Sequence, residues 1–250
     1  MKVLKFICAV VLMLCVVVPD MASAIGLEAA LGVWNQKPQG DLSLNGPSLS
    51  LEDDMKMDDK TRLYGRAKID MPLIVPNIYL MVTQTKSGGT GSKDSAFKFG
   101  DKTFSTDSFT SDLTLNEYDL GLYYGLPFVK LASLGMLNVD AGLNLKVIDL
   151  EVEIIQKNKR ESRSFTVPVP MVYVGAQFKP LKDLSVEAEI RGISLSSDHY
   201  YDLIGRVKYK VLGPAFLAAG YRYEDLQVDE KQVKTNRRLG GPFFEAGVEF

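Results

Sequence analysis

The sequence predicts an all-β fold, a transmembrane antiparallel β-barrel of about ten strands, on three observations. Hydrophobic residues recur with a period of two, in segments of about ten residues separated by polar stretches. The chain begins with an apolar, signal-like segment, and it ends in a strongly alternating strand on Phe250. An eight-stranded barrel, with one hairpin folded into a loop, is the alternative.

The first element is a predicted secretory signal peptide at residues 1–24. A basic start precedes an unbroken apolar run at 6–18, and a small-x-small cleavage site ends at Ala24. The apolar run is too short to span a bilayer as a helix, which needs roughly 20 residues. We therefore expect cleavage between Ala24 and Ile25, which leaves residues 25–250 as one outer-membrane barrel domain.

The composition of the predicted domain excludes several classes of function. Both cysteines, Cys8 and Cys15, lie in the signal segment, so residues 25–250 have no disulfide framework. The chain has one His, which leaves almost nothing with which to build a zinc or copper site, and we expect no cofactor. The formal net charge of −2 offers no basic surface for nucleic acid.

The period-two alternation continues along the whole predicted domain. It is clearest at residues 61–70, where aliphatic side chains on one face oppose Arg62, Arg66 and Lys68 on the other. In a soluble sandwich such a polar face would meet bulk water, whereas in a membrane barrel it faces the lumen. The other predicted strands are 25–34, 77–85, 112–125, 138–154, 164–178, 184–192, 200–211, 215–224 and 243–250.

The connections between these strands alternate in length. The short ones are 71–76, 178–183 and 212–214, with a longer one on the same side at 126–137. The longer, polar ones are 35–60, 86–111, 156–163, 193–199 and 225–240. This alternation is typical of a barrel with short periplasmic turns and long external loops.

The last strand carries a resemblance to a known class. Phe244, Ala246, Val248 and Phe250 share one face, which resembles the closing strand of bacterial outer-membrane β-barrels. The resemblance implies that Phe244, Val248 and Phe250 form the signal that the barrel-assembly machinery reads. It also implies a monomer in the outer membrane, in contact with lipid and lipopolysaccharide.

Two short runs carry a narrower resemblance. The proline-bracketed segment 72–78 and the segment 137–143 resemble an uncharacterised proteobacterial family of small outer-membrane barrels, OmpW-like in general type. That family implies a barrel and no established activity, so the resemblance gives no substrate.

Most residues on the inward faces are charged. They could select ions or small solutes, or they could neutralise one another and plug the barrel. Eight strands are filled by their own side chains, and a buried unpaired charge costs several kcal/mol, so we expect a largely plugged lumen. The candidate lumen charges are Glu28, Arg62, Arg66, Lys68, Glu117, Asp119, Asp140, Lys146, Glu187, Glu189, Arg191, Asp202, Arg206, Lys208, Arg222, Glu224, Glu245 and Glu249.

The predicted strand ends and loops also assign positions to one arginine and to a set of aromatic residues. Arg237, near the outer end of the last predicted loop, could meet lipid phosphates. Aromatic residues near strand ends are expected to form girdles at the two membrane interfaces. These are Trp34, Tyr64, Tyr79, Tyr124, Tyr173, Tyr201, Tyr209, Tyr221 and Tyr223.

The leading functional hypothesis is a non-enzymatic, structural or surface-interaction role with at most narrow passive permeation. The main alternative is a small-solute or hydrophobic-compound channel of the OmpW type. A remote alternative is a rim protease resembling the omptins, centred on Asp198 and His199. As neighbours in a strand these two side chains would point to opposite faces, so we expect no catalysis there.

Overall fold

The computed structural model describes residues 26–44, 48–57, 59–72, 74–229 and 233–250. The predicted signal peptide, 1–24, and the predicted cleavage site between Ala24 and Ile25 lie outside the described residues. In the described part of the chain, no helix is long and apolar enough to cross a membrane.

The described residues form thirteen strands and one short helix, α1 (Pro127–Ala132). The strands are β1 (Gly26–Leu44), β2 (Leu49–Ser50), β3 (Lys60–Asp70), β4 (Asn77–Gly91), β5 (Phe97–Phe99), β6 (Lys102–Phe104), β7 (Phe109–Gly125), β8 (Leu137–Gln156), β9 (Lys159–Leu181), β10 (Leu184–Leu195), β11 (Asp198–Leu212), β12 (Ala215–Asp229) and β13 (Val233–Glu249).

Ten of these strands, β1, β3, β4 and β7 to β13, make one antiparallel sheet in chain order. β13 also pairs with β1, so the sheet closes into a barrel. β2 pairs with the outer part of β1, and β5 and β6 form a separate hairpin. The prediction of a barrel of about ten strands is confirmed, and the eight-stranded alternative is wrong.

The period-two pattern fixes which side chains face the lumen. In β7, Glu117, Asp119 and Tyr123 are buried inside the barrel, whereas Leu120 and Leu122 are exposed on its outer surface. The same alternation along the other barrel strands gives a continuous outer belt of aliphatic side chains. Such a belt is stable against lipid, and pairing between strands supplies the backbone hydrogen bonds that lipid cannot.

Strands extend well beyond the predicted bounds at the external end. β1 and β13 remain paired as far as Leu44 and Val233, and the external turns at 157–158 and 196–197 contain only two residues. Polar residues that the sequence suggested as loops are therefore mostly strand. The ladder supplies their backbone hydrogen bonds, so polar side chains can project from a strand into water.

The ladders are uneven in length around the barrel. β3 and β4 pair only from Tyr64–Thr83 to Ile69–Ile78. β9 and β10 pair no further outward than Val172–Gly192, while β9 continues to Lys159 alongside β8. The outer half of the wall therefore has two seams, one on each side of the tall section formed by β4 and β7 to β9.

Candidate functional site: the filled lumen

A lower cluster of charges fills the half of the lumen nearest the chain ends. Arg66 contacts Glu245 at 2.6 Å, and Tyr64 donates a hydrogen bond to the same carboxylate at 2.7 Å. Lys208 lies 2.8 Å from both Glu28 and Glu187. These groups come from β1, β3, β10, β11 and β13, so the cluster crosses the barrel from wall to wall.

Further pairs complete the lower cluster. Arg206 contacts Glu189 and lies 3.3 Å from Glu245. Lys68 lies 3.0 Å from Glu189, and Lys208 lies 3.0 Å from Glu249. Both Arg206 and Glu189 are almost fully buried, which means that neither charge is solvated by bulk water.

An upper cluster surrounds the buried ammonium of Lys146. Its Nζ lies 3.1 Å from both Asp119 and Asp202, and 3.5 Å from Glu224. Arg222 contacts Asp202 at 2.8 Å and Glu224 at 2.6 Å. All five side chains are at most 2 % exposed, so each charge depends on the others.

Glu117 and Arg191 extend the upper cluster in opposite directions. Glu117 accepts hydrogen bonds from Tyr200 at 3.0 Å and from Arg237 at 3.2 Å. Arg191 contacts Glu189 of the lower cluster at 2.7 Å and lies 3.4 Å from Asp202. The two clusters are thus one continuous structure, the lumen network, with acids and bases in nearly equal number.

Aromatic rings occupy the remaining space beside the network. The guanidinium of Arg222 lies 4.6 Å from the ring of Trp34, and that of Arg191 lies 4.4 Å from Tyr79. Tyr64 and Phe243 pack edge to face with ring centroids 5.8 Å apart. Contacts of cations with aromatic faces in a dry interior are worth up to about 2 kcal/mol.

The glycines on the inward faces make room for these rings. A Cβ at Gly32 would overlap the ring of Tyr64, and a Cβ at Gly220 would lie 2.6 Å from the ring of Phe243. Tyr79 and Tyr173 are likewise inside the barrel. The prediction that Trp34, Tyr64, Tyr79 and Tyr173 belong to interfacial girdles is therefore wrong, because their strand positions face the lumen.

The other girdle candidates lie on the outer surface. Tyr124, Tyr201, Tyr209 and Tyr221 are exposed there, and Tyr223 is half-buried beside Asp225. These positions suit rings that have one apolar face and one polar edge.

An apolar cluster, the outer cap, closes the lumen at its external end. Two loop segments supply much of it, and Met55 and Phe104 are completely buried there. The ring of Phe97 lies 5.4 Å from Phe104 and 5.1 Å from Phe109. The members are Leu42, Leu49, Leu51, Met55, Met57, Phe97, Phe99, Phe104, Phe109, Leu113, Val152 and Ile154.

The described residues leave little free volume along the axis. A vestibule of about 400 Å³ opens at the periplasmic end and is bordered by Lys68, Lys130, Asp140 and Glu249. Between the two charged clusters the gap beside Phe243 holds only about 10 Å³. A water molecule needs about 10–15 Å³ on this measure, so this gap holds at most one.

The lumen network contains most of the charges that the sequence pattern placed inside. Arg62 differs: it is half-buried at the seam between β3 and β4, and its Nε has no hydrogen-bond partner among the described residues. Asp140 lines the vestibule. The network members among the candidates are Glu28, Arg66, Lys68, Glu117, Asp119, Lys146, Glu187, Glu189, Arg191, Asp202, Arg206, Lys208, Arg222, Glu224, Glu245 and Glu249.

Arg237 is the network residue that the sequence pattern misplaced. It is 6 % exposed and points inward from β13, so the suggested contact with lipid phosphates is wrong. Its neighbours at even spacing, Leu239, Phe243 and Glu245, are also inward and buried. Extending the alternation of the last strand backwards would have placed Arg237 inside the barrel.

Asp198 and His199 make separate contacts at the rim. The His199 Nε2 lies 3.6 Å from Asp225, and its ring stacks on Tyr201 on the outer surface. Asp198 accepts a hydrogen bond from the backbone N–H of Asp229 at 2.9 Å. The only histidine of the chain therefore pairs with a carboxylate other than its sequence neighbour, and it lies on the outer surface beside the lipid-facing belt.

Comparisons with known proteins show which solved structures share this fold. No family model matches the sequence, and no curated protein matches it. The outer membrane protease OmpT from Escherichia coli superposes with a TM-score of 0.57 at 11 % sequence identity, covering 94 % of this chain and 99 % of OmpT. At this identity the likeness concerns the fold alone.

A second solved structure, Ail from Yersinia pestis, superposes with a TM-score of 0.40 at 10 % identity and covers 91 % of this chain and 99 % of its own. The closed ten-strand sheet and the superposition on OmpT both agree with the predicted barrel. The chain has the closed antiparallel barrel fold that outer-membrane proteins such as OmpT share.

Proposed function

We propose that this protein is a non-conducting outer-membrane barrel that acts through the surface it presents outside the cell. The lumen network supports this proposal, because it fills the barrel with paired charges beneath the outer cap. Outer-membrane lipid and lipopolysaccharide would be the immediate partners of the outer belt and rim.

Permeation through the axis would be energetically unfavourable. An ion crossing the upper cluster would have to displace Lys146 or Arg222 from carboxylates to which they are bound. Breaking one buried pair by removing a partner typically costs about 3–5 kcal/mol, and several pairs would open together here. Steady conduction would therefore require a large rearrangement of the interior.

The tall external section supplies an interaction surface. β8 and β9 continue outward to a turn at 157–158, and the side chains on their outer face are polar or charged except for Ile155. Arg160 pairs with Glu153 across this hairpin, and Arg163 pairs with Asp101 of the neighbouring loop. A stiff, charged wall of this kind suits contact with a partner or with lipopolysaccharide sugars.

Single-channel recording in planar bilayers tests the proposal. We expect refolded residues 25–250 to give no steady conductance, while a heat-dependent shift in gel mobility shows that the barrel is folded. A Lys146→Ala/Arg222→Ala double variant serves as an opened-lumen control and should give intermittent openings if it folds. Stable, charge-selective openings of the unmodified chain would overturn the proposal and favour the channel alternative.

The proposal includes no hydrolytic role at the rim. The outward position of His199, beside Asp225 and stacked on Tyr201, supports this, since the ring faces away from the lumen. Incubation of the refolded protein with a peptide library should leave the peptides intact. Cleavage that disappears in a His199→Ala variant would contradict the proposal.

A further inference from the structure

The seam beside β9 leaves one strand edge without a neighbour. β9 pairs with β10 from Leu181 to Val172, and outward of that point the described ladders give residues 159–171 only β8 as a partner. β10 itself ends at Leu195 in a two-residue turn to β11. The wall is therefore open on this side in its outer half.

Two prolines hold this edge open. Pro168 and Pro170 are two residues apart, so their backbone nitrogens face the same edge of β9. The ladder to β8 runs through both without a shift in register, at Val147–Pro168 and Leu145–Pro170. The nitrogens therefore face the open side, where a proline cannot donate to an added strand.

An open apolar groove of about 1140 Å³ follows the outer surface into this seam. Away from the seam, the groove is lined by lipid-facing residues such as Leu143, Val172 and Ile190. At the seam it is lined by Met171 and Ile193, whose strand positions face the lumen. The groove thus runs along the outer belt as far as the seam, where β9 and β10 are no longer paired.

The inner side of the seam is apolar too. Val169, Ile193 and Leu226 pack against the core cluster that contains Met171 and Tyr200. The upper charged cluster lies next to them inside the barrel, since Val169 is paired with Lys146 of that cluster in the β8–β9 ladder. The groove therefore ends at the seam, and the lumen network lies on the inner side of the wall at this height.

We propose that this groove, with Pro170, Met171 and Ile193 at its inner end, binds one acyl chain of an outer-leaflet lipid that enters sideways from the bilayer. The groove is continuous with the lipid-facing belt, and its lining includes no charged side chain. A chain in the groove would cover apolar surface at Pro170 and Ile193, beside the edge of β9 that has no neighbouring strand.

Photo-crosslinking of the unmodified chain tests this inference. The refolded protein is placed in vesicles with a phospholipid that carries a diazirine near the end of one acyl chain, and adducts are mapped by peptide mass spectrometry. We expect adducts on Met171 and Ile193 as well as on the belt residues Val172 and Ile190. Adducts confined to the belt residues would overturn the inference.

A blocking variant gives the matched control. Ser194 is exposed at the groove, so Ser194→Trp should fill it, whereas Ala219→Trp places the same side chain on the lipid-facing side of β12. We expect Ser194→Trp to abolish adducts on Ile193 and Met171 and to leave those on Leu217 unchanged. Ala219→Trp should leave the groove adducts in place. Equal labelling of Met171 in both variants would contradict the assigned groove. These outcomes are independent of conductance, so this inference and the proposed function can fail separately.

Discussion

The membrane-spanning and external parts of the same strands have opposite polarity. In β8, Lys146 faces the lumen and Leu143 faces lipid, but further out Ile154 faces inward and Glu153 faces outward. β7 changes in the same way. Within the membrane, one continuous strand therefore has its polar side chains inside and its apolar side chains outside. In its external part the same strand has the opposite arrangement, as in a water-soluble barrel.

This difference teaches how each part of the barrel is filled. In the bilayer the outward face must be apolar, which leaves the inward face to polar groups that have to pair in a narrow space. Above the bilayer the outward face meets water, so the inward face can be filled by an apolar core, the outer cap. The solvent outside the wall sets the chemistry inside it.

The largest expected effect comes from breaking the lumen network. Arg222→Ala leaves Asp202 and Glu224 short of a buried cation and should lower the free energy of unfolding by about 3–5 kcal/mol. Urea unfolding of the folded barrel in vesicles measures this. Arg62→Ala is the matched control, because the Arg62 Nε has no hydrogen-bond partner among the described residues, and it should cost much less. Equal losses would mean that the network does not stabilise the barrel.

The second effect tests the change of polarity directly. Leu143→Lys puts a charge on the lipid-facing side of β8 and should destabilise by about 2–4 kcal/mol near the bilayer midplane. Glu151→Lys, on the same face of the same strand but above the belt, should change stability by no more than about 0.5 kcal/mol. The same unfolding measurement compares the two variants. A similar loss of stability at both positions would refute the change of polarity along the strand.

A smaller effect is expected in the outer cap. Ile154→Val removes one buried methylene and should cost about 0.5–1.5 kcal/mol. The variant should speed limited proteolysis of the external loops while leaving the lumen silent in bilayers. Unchanged proteolysis would indicate that the cap does not hold these loops.

The smallest effect is expected at an exposed pair near the external end. Lys157 donates to Asp107 at 2.7 Å, and this hydrogen bond holds the pKa of the Asp107 carboxyl below its ordinary value. A lowered pKa in the folded state means that the pair stabilises at neutral pH and loses this contribution as the pH falls through the folded pKa. Because both side chains are solvent-exposed, Asp107→Asn should leave the unfolding curve at pH 7 unchanged within error. A clear loss would show that exposed pairs also support the barrel.

The sequence pattern predicted the membrane part of the barrel well. The alternation in residues 61–70 and 112–125 depends only on neighbours two apart, so it shows which charges face inward without any tertiary information. The reversal of polarity further out was hidden, because polar outward residues such as Arg160 and Ser162 look like loop residues when their inward neighbours are not recognised.

The partners inside the lumen could not be predicted from the sequence. Tyr64 reaches Glu245, and Tyr200 reaches Glu117, across distances that no local pattern encodes. The inward aromatic rings left a signal that could have been used, since glycines at inward positions such as Gly32 and Gly220 mark where a ring crosses from the next strand.

The pairs between the first and last strands have a consequence for assembly. Arg66 reaches Glu245, and Lys208 reaches Glu28, only once β1 and β13 have come together. In a bilayer, an incompletely closed sheet would hold these carboxylates and cations without their partners, in a medium that penalises bare charge. Closure of the barrel therefore pairs several buried charges in a single step. Half-formed intermediates are disfavoured, and a barrel that has closed resists reopening along the join between its two ends.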